Sequence, residues 1–450
     1  MQYPLSADII AQVSQLIAQR DNEALKLLLL DFHFADIAEL INELNPEDGT
    51  YVMKLLDIEI TSEVFTEIDP DLREQILKNF TPSEIADELE EMDTDDAVDI
   101  IAELDDEIQK QVIHEMEDKS HAADIVELLR YDEDTAGGLM AKELVKVKEN
   151  WTVSGCVREM RKQAEHVTRV HSIYVVDDEG KLKGRLSLKD LLTAPSRAYI
   201  RDIYIPKVDY VTVHTEGDEI ARIMQKYDLE AIPVVDDYHV LVGRVTIDDI
   251  VDYIREEADK DYQLAAGITG DVESSDTVFK QTRARLPWLL IGMLGGLGAA
   301  TIISNFEMIL TSYPKLLIFV PLIQATAGNV GVQSSAIIVQ GLANGTLKGH
   351  LMARIFKETS VALINGISLA VIVLLVSHFV FYTSYLESLS IGVALISVIV
   401  IAAIVGNLIP LILNNRGIDP ALATGPFITT SNDIFGIFTY FLIAKTILGF

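Results

Sequence analysis

The chain has 450 residues and a formal net charge of −33, from 69 acidic and 36 basic residues. Its single cysteine, Cys156, excludes an internal disulfide and any cysteine-built metal cluster. The acidic excess would repel phosphates, so no nucleic-acid partner is expected. Residues 1–280 carry 64 acids against 28 basic residues, a balance of −36, and the last 170 carry 5 against 8, a balance of +3. Such asymmetry predicts two physical environments. Surplus carboxylates suit cations as partners; solubility alone is the other reading. The start, Met1-Gln2-Tyr3-Pro4, lacks a basic segment followed by an apolar core. No cleaved signal peptide is expected, and the acidic half is expected in the cytoplasm.

Residues 1–135 read as short amphipathic helices forming an acidic all-α superhelix. Apolar residues recur at helical spacing in Ile37, Leu40, Ile41 and Leu44. Ala35-Asp36-Ile37-Ala38-Glu39-Leu40 is echoed about 48 residues later by Ser83-Glu84-Ile85-Ala86-Asp87-Glu88-Leu89, and more weakly by Ala122-Ala123-Asp124-Ile125-Val126-Glu127-Leu128. Stacked helix pairs of this kind build a superhelix.

After Gly137-Gly138 two segments follow one plan, Ile173–Asp190 and Ile232–Asp249, in domains placed at 136–200 and 201–255. Each is a β-branched strand, an acidic turn, a second strand and a helix start. Each follows an amphipathic helix, near Val153–Gln163 and Asp218–Tyr227. The copied Gly-x-(Leu/Val)-(Ser/Thr)-x-x-Asp makes this α+β repeat resemble a pair of CBS domains. Ser187 and Asp190, with Thr246 and Asp249, are candidate ligands for an adenine nucleotide such as ATP. The alternative is a dimerising module whose cleft holds no nucleotide. Residues 249–277 read as helical and acidic, with a connecting helix placed at 256–280.

The membrane domain, 281–450, holds five apolar runs near 286–304, 316–341, 359–382, 389–413 and 421–447, each long enough to span hydrocarbon. With the acidic half inside, cytoplasmic flanks carry Arg283, Arg285, Lys348, Arg354, Lys357 and Arg416, and the opposite flanks only Lys315 and Lys445. This positive-inside bias predicts a multi-pass plasma (inner) membrane protein in contact with lipid, its C-terminus outside. Asp433 is expected about twelve residues into the last run, roughly 18 Å deep at 1.5 Å per residue. An aspartate at that depth marks an ion pathway or pairs with another helix. Thr326, Asn329 and Gln333 fall on one stripe of the second run, as pore lining or as helix glue. Oxygen ligands without a sulfur or histidine cluster suit a hard cation such as magnesium or calcium. His114-Glu115 lacks the second histidine of a zinc protease, and no phosphate-binding Gly-x-x-x-x-Gly-Lys-(Ser/Thr) loop occurs, so an enzyme is not expected.

Pro321-Leu322-Ile323, Gly328-Asn329-Val330-Gly331-Val332-Gln333-Ser334, Gly417-Ile418-Asp419-Pro420-Ala421 and Ser431-Asn432-Asp433-Ile434-Phe435-Gly436 resemble the membrane motifs of the MgtE family of magnesium channels. The domain order is similar over nearly the whole chain. Ala327 departs from the pattern where the family commonly has glycine, and Lys260 stands where an acid is expected. The resemblance implies a homodimer with the ion path at the subunit interface, magnesium as both substrate and regulator, and closure by cytosolic magnesium. Two Asp433 carboxylates about the dimer axis are then the candidate pore ligands, with Asn329, Gln333, Thr429 and Asn432 as candidate lining. The resemblance places sensor ligands at Glu63 and Asp95, at Glu216, Asp218, Asp228, Asp249 and Asp252, and at Glu257 and Asp261. The competing expectations are an ion-coupled secondary transporter of divalent cations regulated by nucleotide at the CBS pair, and a membrane receptor that transports nothing.

Overall fold

The computed structural model describes residues 6–164, 167, 170, 172–270, 272, 276–343, 346–347, 351–423 and 425–449. The chain start Met1–Pro4 and the flank residue Lys348 lie outside the described residues. The chain divides into two compact units, Met1–Arg255 and Glu256–Phe450.

The first unit begins with α1 (Ala7–Gln19) and α2 (Asn22–Leu29). A regular staircase follows: α3 (Phe34–Asn42), α4 (Pro46–Met53), α5 (Ile58–Glu67), α6 (Pro70–Leu77), α7 (Pro82–Glu90), α8 (Thr94–Ala102), α9 (Asp106–Glu115) and α10 (Lys119–Leu128). From α3 onward each helix starts twelve or thirteen residues after the last. The structural repeat is therefore a pair of about 24 residues, and the 48-residue sequence echo covers two pairs. Helix starts are set by local chemistry. Asn45 caps α4, Asp118 caps α10, and Thr81 with Glu84 forms a capping box on α7. Pro46, Pro70 and Pro82 stand at the first helical position, where no amide donor is needed. α3, α5, α7 and α9 stack in one row, α4 on α6 and α8 on α10 in the other. Ile37, Leu40 and Ile41 of the predicted stripe are buried, and Leu44 packs against the same core.

The repeat predicted next has the predicted plan. β1 (Val145–Lys148), α11 (Val153–Gln163), β2 (Ile173–Val176), β3 (Leu182–Leu186) and α12 (Leu188–Thr193) form the first copy. β4 (Val211–Thr212), α13 (Gly217–Tyr227), β5 (Ala231–Val235), β6 (Leu241–Thr246) and α14 (Ile247–Ala265) form the second. In each copy the first strand pairs parallel with the second and the second antiparallel with the third. Both middle strands carry a register shift at the matching place, Val175/Val176 and Val234/Val235.

The segment entering each copy packs on the other. Ala141 and Arg244 exchange backbone hydrogen bonds of 2.8 and 2.9 Å, and Arg185 and Ile205 exchange bonds of 3.0 and 2.8 Å. This crossing explains the copied glycine of the motif. A Cβ on Gly184 would lie 2.1 Å from the Ile205 carbonyl oxygen, and one on Gly243 would lie 2.8 Å from that of Ala141.

α14 begins inside the second copy and ends at Ala265, short of the predicted 277–280. Gly267 and Gly270, both at positive φ, follow it. In the second unit five helices are long and apolar enough to cross a membrane: α15 (Val278–Asn305), α17 (Val320–Ala343, entered by a turn from Pro314), α18 (Leu351–Phe379), α19 (Tyr385–Asn414) and α20 (Pro426–Leu448). A short α16 (Glu307–Ser312) follows α15. α19 is the hub: 56% of its apolar window is buried, against 11% for α15. Small residues let the helices close up, as expected where lipid offers no hydrophobic drive between them. Gly406 faces the backbone of Gly331, and Ala327 faces Gly436. Ala327 is fully buried, so the methyl that replaces the family's usual hydrogen is absorbed against a glycine.

Candidate metal centre and ion pathway

Two sites emerge, one in each unit. The first lies where the staircase meets the second α/β copy. The start of α8 reads Asp93-Thr94-Asp95-Asp96. Carboxylate oxygens of Asp93, Asp95 and Glu143 lie within 4.8 Å of one another. Asp93 is placed by the twelve-residue rhythm at a cap position, yet makes no side-chain cap bond to its own helix. It pairs instead with Arg244, at 3.3 Å. Glu143 is fixed by Thr94, whose backbone N–H and hydroxyl donate to it at 3.1 and 2.9 Å. Asp249 joins from the first turn of α14 and accepts from the Thr246 backbone N–H at 2.9 Å and from its hydroxyl at 2.5 Å.

The electrostatics are those of like charges gathered under burial. Burial, reinforced by Asp249, Asp96 and Asp93, pushes the Asp95 carboxyl well above the usual carboxylate range. Burial with Asp249 and Asp93 pushes Asp96 up to about 8. Burial with Asp93 and Glu67 raises Glu63. Asp249 is also raised by burial, against the lowering bonds from Thr246. Like charges gathered in low dielectric favour protonation unless a cation arrives. The donors are all oxygen, and a 4.8 Å spread accommodates an ion that keeps some water, which suits magnesium. Asp93, Asp95 and Glu143 would hold such an ion, with Asp96, Asp249 and Glu63 around it.

Of the predicted sensor residues, this brings together Glu63, Asp95 and Asp249. The others are dispersed. Glu216, Asp218 and Asp228 are exposed at the two ends of α13. Asp252 is exposed on α14, and Glu257 is engaged by Lys260 at 2.9 Å. Asp261 lies farther along the same helix. Sequence reasoning missed Asp93, Asp96 and Glu143. The acidic run 93–96 was the available signal; Glu143 had none, because it reaches the cluster only through the crossing segment. Among the nucleotide candidates, Ser187 and Asp190 are half-buried at the start of α12, while Thr246 and Asp249 are bonded to each other.

The second site is Asp433. α20 starts at Pro426, so the carboxylate stands about 10 Å along it at 1.5 Å per residue, shallower than the sequence suggested. Among the described residues, no hydrogen bond or ion pair reaches it. It lines a cavity of about 950 Å³ together with Thr429, Thr430 and Arg285. The end of α14 and the segment after it, Ala265 to Ile268, form another wall. That segment is pinned to α15: the Thr269 N–H donates to the Ala284 carbonyl at 3.0 Å, and Trp288 Nε1 donates to Thr269 Oγ1 at 2.9 Å. It also presses on the start of α20. A Cβ on Gly425, which sits at φ 55°, would lie 2.1 Å from the Ala265 carbonyl oxygen.

The predicted pore lining separates. Thr429 shares the cavity with Asp433 and spends its hydroxyl hydrogen on the Gly425 carbonyl, at 2.7 Å, leaving oxygen lone pairs for water or a cation. Asn432 is instead wedged between α20 and α17, 1% exposed and over Gly331, its amide nitrogen and oxygen without hydrogen-bond partners among the described residues. Asn329 and Gln333 lie on the exposed face of α17, and Gln333 borders a different cavity.

A helical staircase, a tandem CBS-type repeat and a five-helix apolar bundle define a multi-pass membrane protein with a large acidic N-terminal half. Three family profiles match it in order: MgtE intracellular N domain at residues 32–134, CBS domain at 136–197 and 200–256, and MgtE, a divalent cation transporter, at 320–443. The chain is 35% identical over 98% of its length to the magnesium transporter MgtE of Thermus thermophilus, covering 98% of that protein. It is 36% identical to the Enterococcus faecalis magnesium transporter MgtE over 73% of this chain and 72% of that one. It belongs to the MgtE family. Among solved structures, the cytosolic domain of the Mg2+ channel MgtE in complex with ATP matches at a TM-score of 0.52 and 36% identity, over 54% of this chain and 99% of that one. The soluble part of a magnesium transporter matches at 0.50 and 31%, over 55% and 98%.

Proposed function

We propose that this chain is a passive, magnesium-selective channel that closes when cytosolic magnesium fills the acidic centre. The observation that carries this reading is the course of α14. Its first turn supplies Asp249 to the acidic cluster, and its end delivers Ala265 to Gly425 beside Asp433. A cation bound among Asp93, Asp95 and Glu143 replaces repulsion with attraction and holds the start of α14. The segment after it then stays against α20, beside the ion pathway.

Two copies are needed for a two-fold pore, and exposed apolar side chains recur at matching places in the CBS pair. Leu188 corresponds to Ile247, and Leu192, 73% exposed, to Val251, 55% exposed. Such matched patches fit a homodimer. Two Asp433 carboxylates about one axis balance one divalent charge, and retained water completes its six-fold shell. The membrane potential drives influx at about 2.3 kcal/mol per charge per 100 mV. The acidic half is cytoplasmic and the C-terminus outside, as an odd number of spans requires. ATP is a further ligand of the CBS pair, near Ser187 and Asp190; the relative solved with ATP supports this.

Asp433→Asn tests the proposal. It keeps shape and removes charge, and magnesium flux into proteoliposomes should fall by about a hundredfold, for about 3 kcal/mol of lost attraction. Undiminished flux in that variant overturns the pore assignment. Wild-type flux that needs a proton or sodium gradient overturns the passive mechanism.

A further inference from the structure

A second cavity, of about 400 Å³, opens between α17, α18 and α19. Arg354 and Lys357, one turn apart on α18, stand at it together with Glu358. Glu358 accepts a hydrogen bond of 2.6 Å from the buried Ser334 hydroxyl, so this carboxylate is turned into the wall. Lys357 is exposed and, among the described residues, has no ion pair. Arg354 and Lys357 thus stand at the mouth beside an acid that is already engaged. The remaining walls include Ile337, Val361 and Ile399, with Gln333, Thr346, Asn365 and Asn407 as their polar members. α18 begins at Leu351, so both cations lie within its first two turns.

We infer that this cavity binds an anionic phospholipid, its phosphate held by Arg354 and Lys357 and an acyl chain laid along the apolar walls. The charge of the mouth complements a phosphate, and the apolar walls suit hydrocarbon rather than a free ion. Basic pockets between membrane helices on the cytoplasmic side are suited to such headgroups. In the topology proposed above, the start of α18 lies on that side. The inference rests on that orientation but not on the channel mechanism.

Native mass spectrometry of the full-length protein tests it, with phosphatidylglycerol and phosphatidylcholine in competition. Phosphatidylglycerol should be retained preferentially, and Lys357→Gln should lower its affinity about fivefold, the loss expected of one juxtamembrane charge. Lys357→Arg should restore it. Equal retention of the two lipids in wild type overturns the inference without any variant. Displacement of phosphatidylglycerol by millimolar inorganic phosphate also overturns it, since the site then takes the anion alone. Flux through Asp433 is read separately, so failure here is distinguishable from failure of the pore assignment.

Discussion

Asp95 has burial and three neighbouring aspartates acting against its charge. In Asp95→Asn one like charge leaves the cluster. The magnesium-free protein should gain on the order of 1 kcal/mol, the worth of about one pKa unit. Its melting temperature in chelator should therefore rise, while the further rise on adding magnesium should shrink. A melting temperature that falls in chelator would show that the cluster is not under repulsion. Glu88 offers a pH test away from the centre. Burial pushes its carboxyl up to about 7, although Thr61 donates to it at 2.7 Å and lowers it. The folded chain keeps this proton where the unfolded chain, near the ordinary 4.5, has lost it. Its contribution to stability is complete below that value, declines as pH rises toward 7, and is level beyond. Glu88→Gln still accepts from Thr61 and should flatten that decline, seen as a smaller drop in melting temperature between pH 5 and pH 7.5. Sequence alone could not single out Glu88 among so many acids, because its character comes from a neighbour 27 positions away. Asp433 was legible because an acid within a long apolar run is costly wherever the helices sit. Asn432, one position earlier, is buried against Gly331 rather than at the cavity of Asp433, because adjacent positions on a helix point about 100° apart.

At the scale of elements, periodicity carried most of the fold. The staircase, both α/β copies and all five spans follow from apolar spacing and cap chemistry. The end of α14 did not, because the acidic run drew the helix past Ala265, while the pair of glycines at positive φ that stops it read as incidental. The crossing of the entry segments was also invisible, since register between distant strands leaves no local trace. The contact of Ala265 with Gly425 yields the prediction for this scale. Gly425→Ala places a methyl into that carbonyl and forces a side chain into left-handed backbone, at a cost of about 1–2 kcal/mol from the backbone alone. The segment should be displaced from α20. Half-inhibition of flux should then require about tenfold more cytosolic magnesium. An unchanged inhibition curve would mean that this contact takes no part in closing.

For the whole molecule, the charge ledger and the exposed apolar residues act together. A chain whose acidic half carries a balance of −36 resists association through that half unless something neutral or apolar is offered. Leu192 and Val251 are such offers, at matching places in the two copies. Leu192→Glu with Val251→Glu should shift the purified protein toward monomer and reduce flux together, as measured by mass photometry and vesicle uptake. Flux retained by a demonstrated monomer would place the pore within one chain.

The twelve-residue rhythm of the staircase has one further consequence. Asp93 reaches the cluster only because it occupies the rung before α8, a place that recurs before every helix from α3 to α10. The staircase is therefore a molecular ruler graduated in rungs. Excising one helix pair that carries none of the cluster acids, such as residues 34–57, leaves every remaining helix a neighbour of the right kind. Gaining or losing such a pair away from α8 would lengthen or shorten the arm without disturbing the carboxylate cluster. A lineage could thus alter the reach of this arm by copying modules, leaving the chemistry of the cluster untouched.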